Sequence, residues 1–201
     1  MKKPIILLAL LLGSGTLWSQ ERGSLLFSGS YLNMPRYGMQ GAGYTVSYQH
    51  NLRSWLGLEA GGGYSLGSRT IERNQTVNNV TLLDLNYHHA AYSLYAAPVL
   101  KAGNGRAVSV DLFAGPVITW QSNVFDLNRY EMPESPAYTG RMTDIVYVNR
   151  VLEGTFFGGI AGCRMNIRTG DNWSLNFGAN VMGIIKAVSS VNAILGIKYS
   201  W

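Results

Sequence analysis

Apolar and polar positions alternate along most of this chain, most clearly over residues 191–201. Val191, Ala193, Leu195, Ile197, Tyr199 and Trp201 fall on one face, while Asn192, Gly196, Lys198 and Ser200 share the other with only Ile194 apolar. A period of two marks a strand, whose successive side chains point to opposite sides. The same rhythm recurs upstream, so that strands are expected near 25–32, 41–52, 55–66, 87–101, 107–121, 152–168, 173–181 and 191–201. In the third, Leu56, Leu58, Ala60, Tyr64 and Leu66 oppose Gly57, Glu59, Gly61, Gly63 and Ser65. In the seventh, Trp173, Leu175, Phe177, Ala179 and Val181 oppose Ser174, Asn176, Gly178 and Asn180. Pro116 lies within the fifth strand and forfeits a ladder bond, which predicts a bulge there.

The connections sort by length. Those after the second, fourth and sixth strands are short, with Gly103-Asn104-Gly105 and Thr169-Gly170-Asp171-Asn172 as tight turns. Those spanning 67–86 and 122–150 are long and polar, and the flanks of the second are expected to extend a hairpin beyond the membrane. An even number of strands with alternating short and long connections predicts an all-β fold, an eight-stranded antiparallel up-and-down transmembrane β-barrel with its short turns toward the periplasm. A soluble lipocalin-like barrel is the main competitor. It requires an apolar interior, whereas here glycine, serine, asparagine and charge lie opposite the aromatics, which places lipid outside.

The N-terminus adds a compartment. Lys2-Lys3, the apolar run Ile5 to Leu12 and the small residues after it have the order of a secretory signal, too short to span a bilayer as a helix. Residues 1–20 are therefore expected to be a signal peptide and 21–201 the barrel domain. Removal of Lys2 and Lys3 lowers the formal charge from +5 to +3, and the basic residues are scattered, which argues against a nucleic-acid partner. The lone Cys163 cannot form an internal disulfide and reads as a small strand residue.

On Tyr95-Ala96-Ala97-Pro98-Val99-Leu100-Lys101 before a turn, Phe113-Ala114-Gly115-Pro116 in the next strand, and the terminal Tyr199-Ser200-Trp201, the chain resembles the small outer-membrane β-barrels of Gram-negative bacteria, the OmpA/OmpX-like, porin-family group. The resemblance implies an outer-membrane location. It also implies an assembly signal at Tyr199 and Trp201, read by the barrel-assembly machinery after periplasmic chaperones deliver the chain, with Trp201 where phenylalanine is commoner. It implies no particular activity.

Strand parity places Glu59, Asp111, Arg164 and Lys198 inward at similar height, predicting a cluster of two acids and two bases across the lower lumen with Gln49 and Asn176 nearby. Such a cluster is either a structural core or, functionally, a gateable plug or a weak ion path. His88 and His89 are adjacent, so their side chains diverge and cannot chelate one metal; they and His50 are expected at interfaces or in loops. Asp84 and His88 fit no nucleophile motif. No catalytic residue, metal or cofactor is expected. Tyr31, Tyr44, Tyr64, Tyr92 and Trp120, with Tyr48, Trp173, Tyr199 and Trp201 at the other end, form two expected interfacial girdles. The leading expectation is a non-enzymatic barrel with a largely plugged lumen and a structural or surface-binding role. Its partners would be outer-membrane lipid and an extracellular ligand or protein at 67–86 and 122–150. The alternative is a barrel transporting small or hydrophobic solutes.

Overall fold

The computed structural model describes residues 23–73, 75–77, 80–103, 107–131, 145–187 and 189–201. The expected signal peptide lies outside them. The described residues form ten strands: β1 (Gly23–Met34), β2 (Met39–Arg53), β3 (Leu56–Ile71), β4 (Gln75–Val77), β5 (Val80–Leu82), β6 (Leu85–Ala102), β7 (Val108–Glu131), β8 (Ile145–Arg168), β9 (Trp173–Ile184) and β10 (Ser190–Ser200). Eight of them close into a ring in the order β1-β2-β3-β6-β7-β8-β9-β10, and β10 pairs back onto β1, every pairing antiparallel. Closure satisfies every edge, the condition for a sheet in a bilayer.

The stagger of the ring can be read from its pairings. From Asn51 on β2 the partners run through Gly57, Val99, Phe113, Gly162, Asn180, Asn192 and Leu32, and return to β2 at Gly41, ten residues from the start. Eight strands with that stagger tilt by about 40° and enclose an interior that side chains can fill.

Alternation sorts the two faces as expected. Outward, Leu195 and Phe157 are 66% and 62% exposed, and Cys163 lies on this face too. Inward, Gln49, Asn123 and Asn176 are fully buried. Across β2, β3, β6 and β7 the outer positions Tyr44, Tyr64, Tyr92 and Trp120 are direct register neighbours, a continuous aromatic row. At the end carrying the short turns, here the lower end, Tyr48 lies 6.0 Å from Trp201, and Trp173 lies 4.8 Å from Tyr199. The backbone N–H of Trp201 donates to Gly23 O at 3.1 Å, tying the last residue to the first described strand.

Three expectations need correction. No bulge occurs at Pro116: the β6–β7 ladder is interrupted over 96–98 and 114–116, yet the register is the same on both sides. Pro98 and Pro116 subtract two donors without parting the strands, since a Cβ on Gly115 would run into the Ala96 carbonyl. The register shift in β7 lies instead between Asp126 and Asn128. The segment 67–86 is not a plain loop: β3 continues to Ile71, β4 and β5 form a hairpin, and β5 pairs with the upper part of β7. In 122–150, β7 and β8 run on past the other barrel strands, and 132–144 lies outside the described residues. Finally, the interior is not uniformly polar. Leu32, Met34 and Met39 pack with Tyr37, Tyr87 and Phe125 at the upper end, and Ala97, Val99, Phe113 and Ile160 line one wall below.

Candidate functional site

β3, β7, β8 and β10 each bring one charged side chain into the lower lumen. Glu59, Asp111, Arg164 and Lys198 are 2%, 1%, 3% and 8% exposed, so none relies on bulk water for its solvation. Arg164 grips Glu59 with both terminal nitrogens: Nη1 donates to Oε1 at 3.0 Å and Nη2 bonds Oε2. The same Nη2 lies 3.9 Å from Asp111 Oδ2, and Lys198 Nζ stands 3.4 Å from that oxygen. Asp111 thus bridges the two cations, and Glu59 terminates the chain of charge. A bidentate guanidinium–carboxylate pair is the geometry in which buried charges persist.

Neighbours complete the network. The Tyr95 hydroxyl donates to Glu59 Oε1 at 2.6 Å. Lys198 Nζ donates to Gln49 Oε1 at 2.6 Å, and Ser24 Oγ donates to the same oxygen at 3.3 Å. Asn176 accepts from Ser28 Oγ at 3.4 Å. The Arg164 guanidinium also lies over the Phe113 ring, 4.7 Å from its centroid. Two glycines make room for these contacts. A Cβ on Gly61 would meet the Tyr95 ring at 2.8 Å, and Phe113 folds against Gly162 in the same way.

Sequence reasoning missed two members. Tyr95 reads as one aromatic among many, although its odd position in β6 already sets it opposite Leu94 and Ala96. Lys101, whose parity also points inward, is half-buried, faces Asp111 across the β6–β7 ladder and donates to Asn51 Oδ1.

The histidines separate. His88 is exposed on the outer face, whereas His89 is 4% exposed inside the barrel, where Nδ1 lies 2.6 Å from Asn123 Oδ1. His89 is therefore neither an interfacial nor a loop residue. Among the described residues, no group of three or more His, Cys, Asp or Glu side chains is placed to hold a metal ion. Asp84 accepts from the backbone N–H of Arg73 at 2.9 Å, a contact that shapes the loop before β4.

Above the charged network lies a chamber. It is lined by Ser28, Thr45, Ser47, Ser93 and Thr119, with Arg164 and Tyr95 toward its floor. His89 and Gln121 border it higher up. Its volume of about 60 Å³ is room for a few water molecules.

No protein-family model and no curated protein sequence matches the chain. Solved structures do. The outer membrane protein OprG from Pseudomonas aeruginosa aligns over 90% of this chain and 96% of its own, with a TM-score of 0.56 at 6% identity. A major outer membrane protein from Thermus thermophilus aligns over 90% and 100%, with a TM-score of 0.52 at 12% identity. Ail, the attachment invasion locus protein of Yersinia pestis, aligns over 90% and 97%, with a TM-score of 0.49 at 13% identity. The fold is that of the small eight-stranded outer-membrane barrels.

Proposed function

We propose that the chain is a non-enzymatic outer-membrane protein with a closed lumen and a structural or surface-binding role exercised through 67–86 and 122–150. The observation that carries this reading is the Glu59–Arg164–Asp111–Lys198 network, which links three walls of the barrel at one level. Its charges are met by protein groups, so opening a path there would leave buried ions without their partners. The outer face, apolar and edged by aromatics at both ends, fits lipid as its permanent partner. Tyr199 and Trp201 serve as the assembly signal, and residues 1–20 as the export signal.

The extension formed by β7, β8 and the β4–β5 hairpin supports surface binding, because its strands pair with one another beyond the ends of the other barrel strands. Transport of small solutes needs a continuous passage or a lateral opening. Neither is favoured: the charged network and the Met34–Met39–Tyr37 cluster both occupy the bore, and β6 and β7 stay in contact beside Pro116.

Planar-bilayer recording of the refolded mature protein tests the reading. Silence is expected both from the wild type and from a Glu59→Gln, Asp111→Asn double variant. Steady conductance in the wild type that the double variant alters would instead put the network in an ion path and make the protein a pore.

A further inference from the structure

Just above the aromatic row of the outer face, the barrel wall is hollowed. Tyr44, Tyr64, Tyr92 and Trp120 cross β2, β3, β6 and β7 in register. One same-face step toward the upper end, about 7 Å along each strand, the outward positions are Ala42, Leu66, Ala90 and Ser122. A further step brings Gln40, Ser68 and His88, again register neighbours. Ala42, Ala90 and Ser122 are small, lie between two rows of larger side chains and so leave a trough. It measures about 370 Å³ and opens outward, with Gln40, Leu66, Ser68, His88, Ala90 and Ser122 in its lining.

The polar groups of the trough suit hydroxyls. Among the described residues, none hydrogen-bonds the side chain of Gln40, Ser68 or His88. All three are exposed, and together they offer donors and acceptors. Ser122 donates to Glu153 Oε1 at 2.8 Å, which leaves its lone pairs to accept and holds a carboxylate beside the trough. No Lys or Arg among the described residues lines it. A phosphate would find no cation there and one neighbouring anion, whereas a hydroxyl, which both donates and accepts, can pair with each of these side chains.

The aromatic row supplies the other half of the site. Tyr92 and Trp120 are 61% and 40% exposed, and the Tyr64 ring lies 4.6 Å from that of Tyr92. Flat rings at the boundary between hydrocarbon and headgroups present apolar faces there. A sugar ring has the matching make-up, with hydroxyls around its edge and C–H bonds across its faces. An acyl chain alone would leave Gln40, Ser68 and His88 unmet.

We propose that the trough seats one sugar ring of a glycolipid headgroup, its hydroxyls toward Gln40, Ser68 and His88 and a C–H face toward Tyr92 and Trp120. The chains of that lipid lie along the apolar wall below. The site deepens the reading of lipid as the permanent partner of the outer face and rests on it; the state of the lumen does not enter.

The test is native mass spectrometry of the refolded mature protein released from phosphatidylcholine nanodiscs. These carry equal minor fractions of monoglucosyl diacylglycerol and of phosphatidylglycerol with the same acyl chains. One glucosyl-lipid adduct is expected, saturating at one and enriched over phosphatidylglycerol by about tenfold or more, the worth of two hydrogen bonds. Ala90→Trp fills the trough with a residue at home in the interface and removes the enrichment. Gln40→Ala, His88→Ala lowers it by about fivefold or more. Ala179→Trp, outward on β9 and away from the trough, leaves it intact. Equal enrichment in the wild type and Ala90→Trp overturns the site, as does phosphatidylglycerol retained as strongly, or adducts that multiply without saturating. Should Ala90→Trp not fold, the Gln40→Ala, His88→Ala variant decides, and unchanged enrichment there refutes the proposal. A barrel that keeps no lipid at all, phosphatidylcholine included, removes the lipid-facing premise and the site with it, a result distinct from the loss of the sugar preference alone.

Discussion

Glu59 has four oxygen lone-pair directions inside a bilayer-thick barrel, and hydrogen bonds from Arg164 and Tyr95 take three of them. Removing only the guanidinium, as in Arg164→Met, leaves a buried carboxylate without its cation, a change expected to cost about 3–5 kcal/mol. Removing both charges with Glu59→Gln, Arg164→Met should cost markedly less, since no buried ion is then left alone. Denaturant midpoints of the wild type, the two single variants and the double variant, measured in vesicles, give the coupling energy directly. Additive single effects would show that the pair contributes nothing as a pair. The charged members were legible from parity, because each sits opposite an apolar neighbour in a strand that alternates cleanly. Tyr95 was as legible by parity, opposite Leu94 and Ala96, but its residue type does not distinguish a ring that hydrogen-bonds a buried carboxylate from one more interfacial aromatic. Gly61 was visible only as glycine richness; its reason, the ring of Tyr95 lying against it, depends on a neighbouring strand.

Strands were readable wherever one face meets lipid and the other meets the lumen, as in β9 and β10. Alternation failed as a guide beyond the apolar band. There β7 and β8 pair with each other above the rim, beyond β6, where neither lipid nor lumen imposes a period on 126–131. The β4–β5 hairpin escaped for the same reason, with only three residues per strand. The bulge expected at Pro116 was a local inference overruled by its surroundings: paired on both sides by β6 and β8, β7 keeps its register and gives up the bonds instead. At this scale the lipid-facing assignment is open to a direct test. Leu195 on β10, paired with Gly29 and Phe177, lies midway along the strand and 66% exposed. In a soluble barrel, arginine there is nearly neutral. Facing a bilayer core, Leu195→Arg should cost about 2–4 kcal/mol. A cost near zero in vesicle unfolding would move this face into water.

For the molecule as a whole, eight strands and a stagger of ten fix the bore, so its permeability can change only by rearrangement of the side chains within it. Two groups occupy that bore at different heights: the ionic network low down, and Leu32, Met34 and Met39 under Tyr37, Tyr87 and Phe125 high up, the turn at Tyr37 held by Arg69 Nη1 on its carbonyl at 2.8 Å. They share no residue and are held by unlike forces, one by charge and one by apolar contact. On the closed-lumen reading they act as the two doors of an airlock. If each stands open about 1% of the time and independently, both are open together about 0.01% of the time. Loosening one door should therefore leave the membrane tight. Glu59→Gln, Asp111→Asn alone and Met34→Ala, Met39→Ala alone should each stay silent in a bilayer, while the four changes combined should leak. Leakage from either pair by itself would mean that the barrel has one door, and that the other group is only filling.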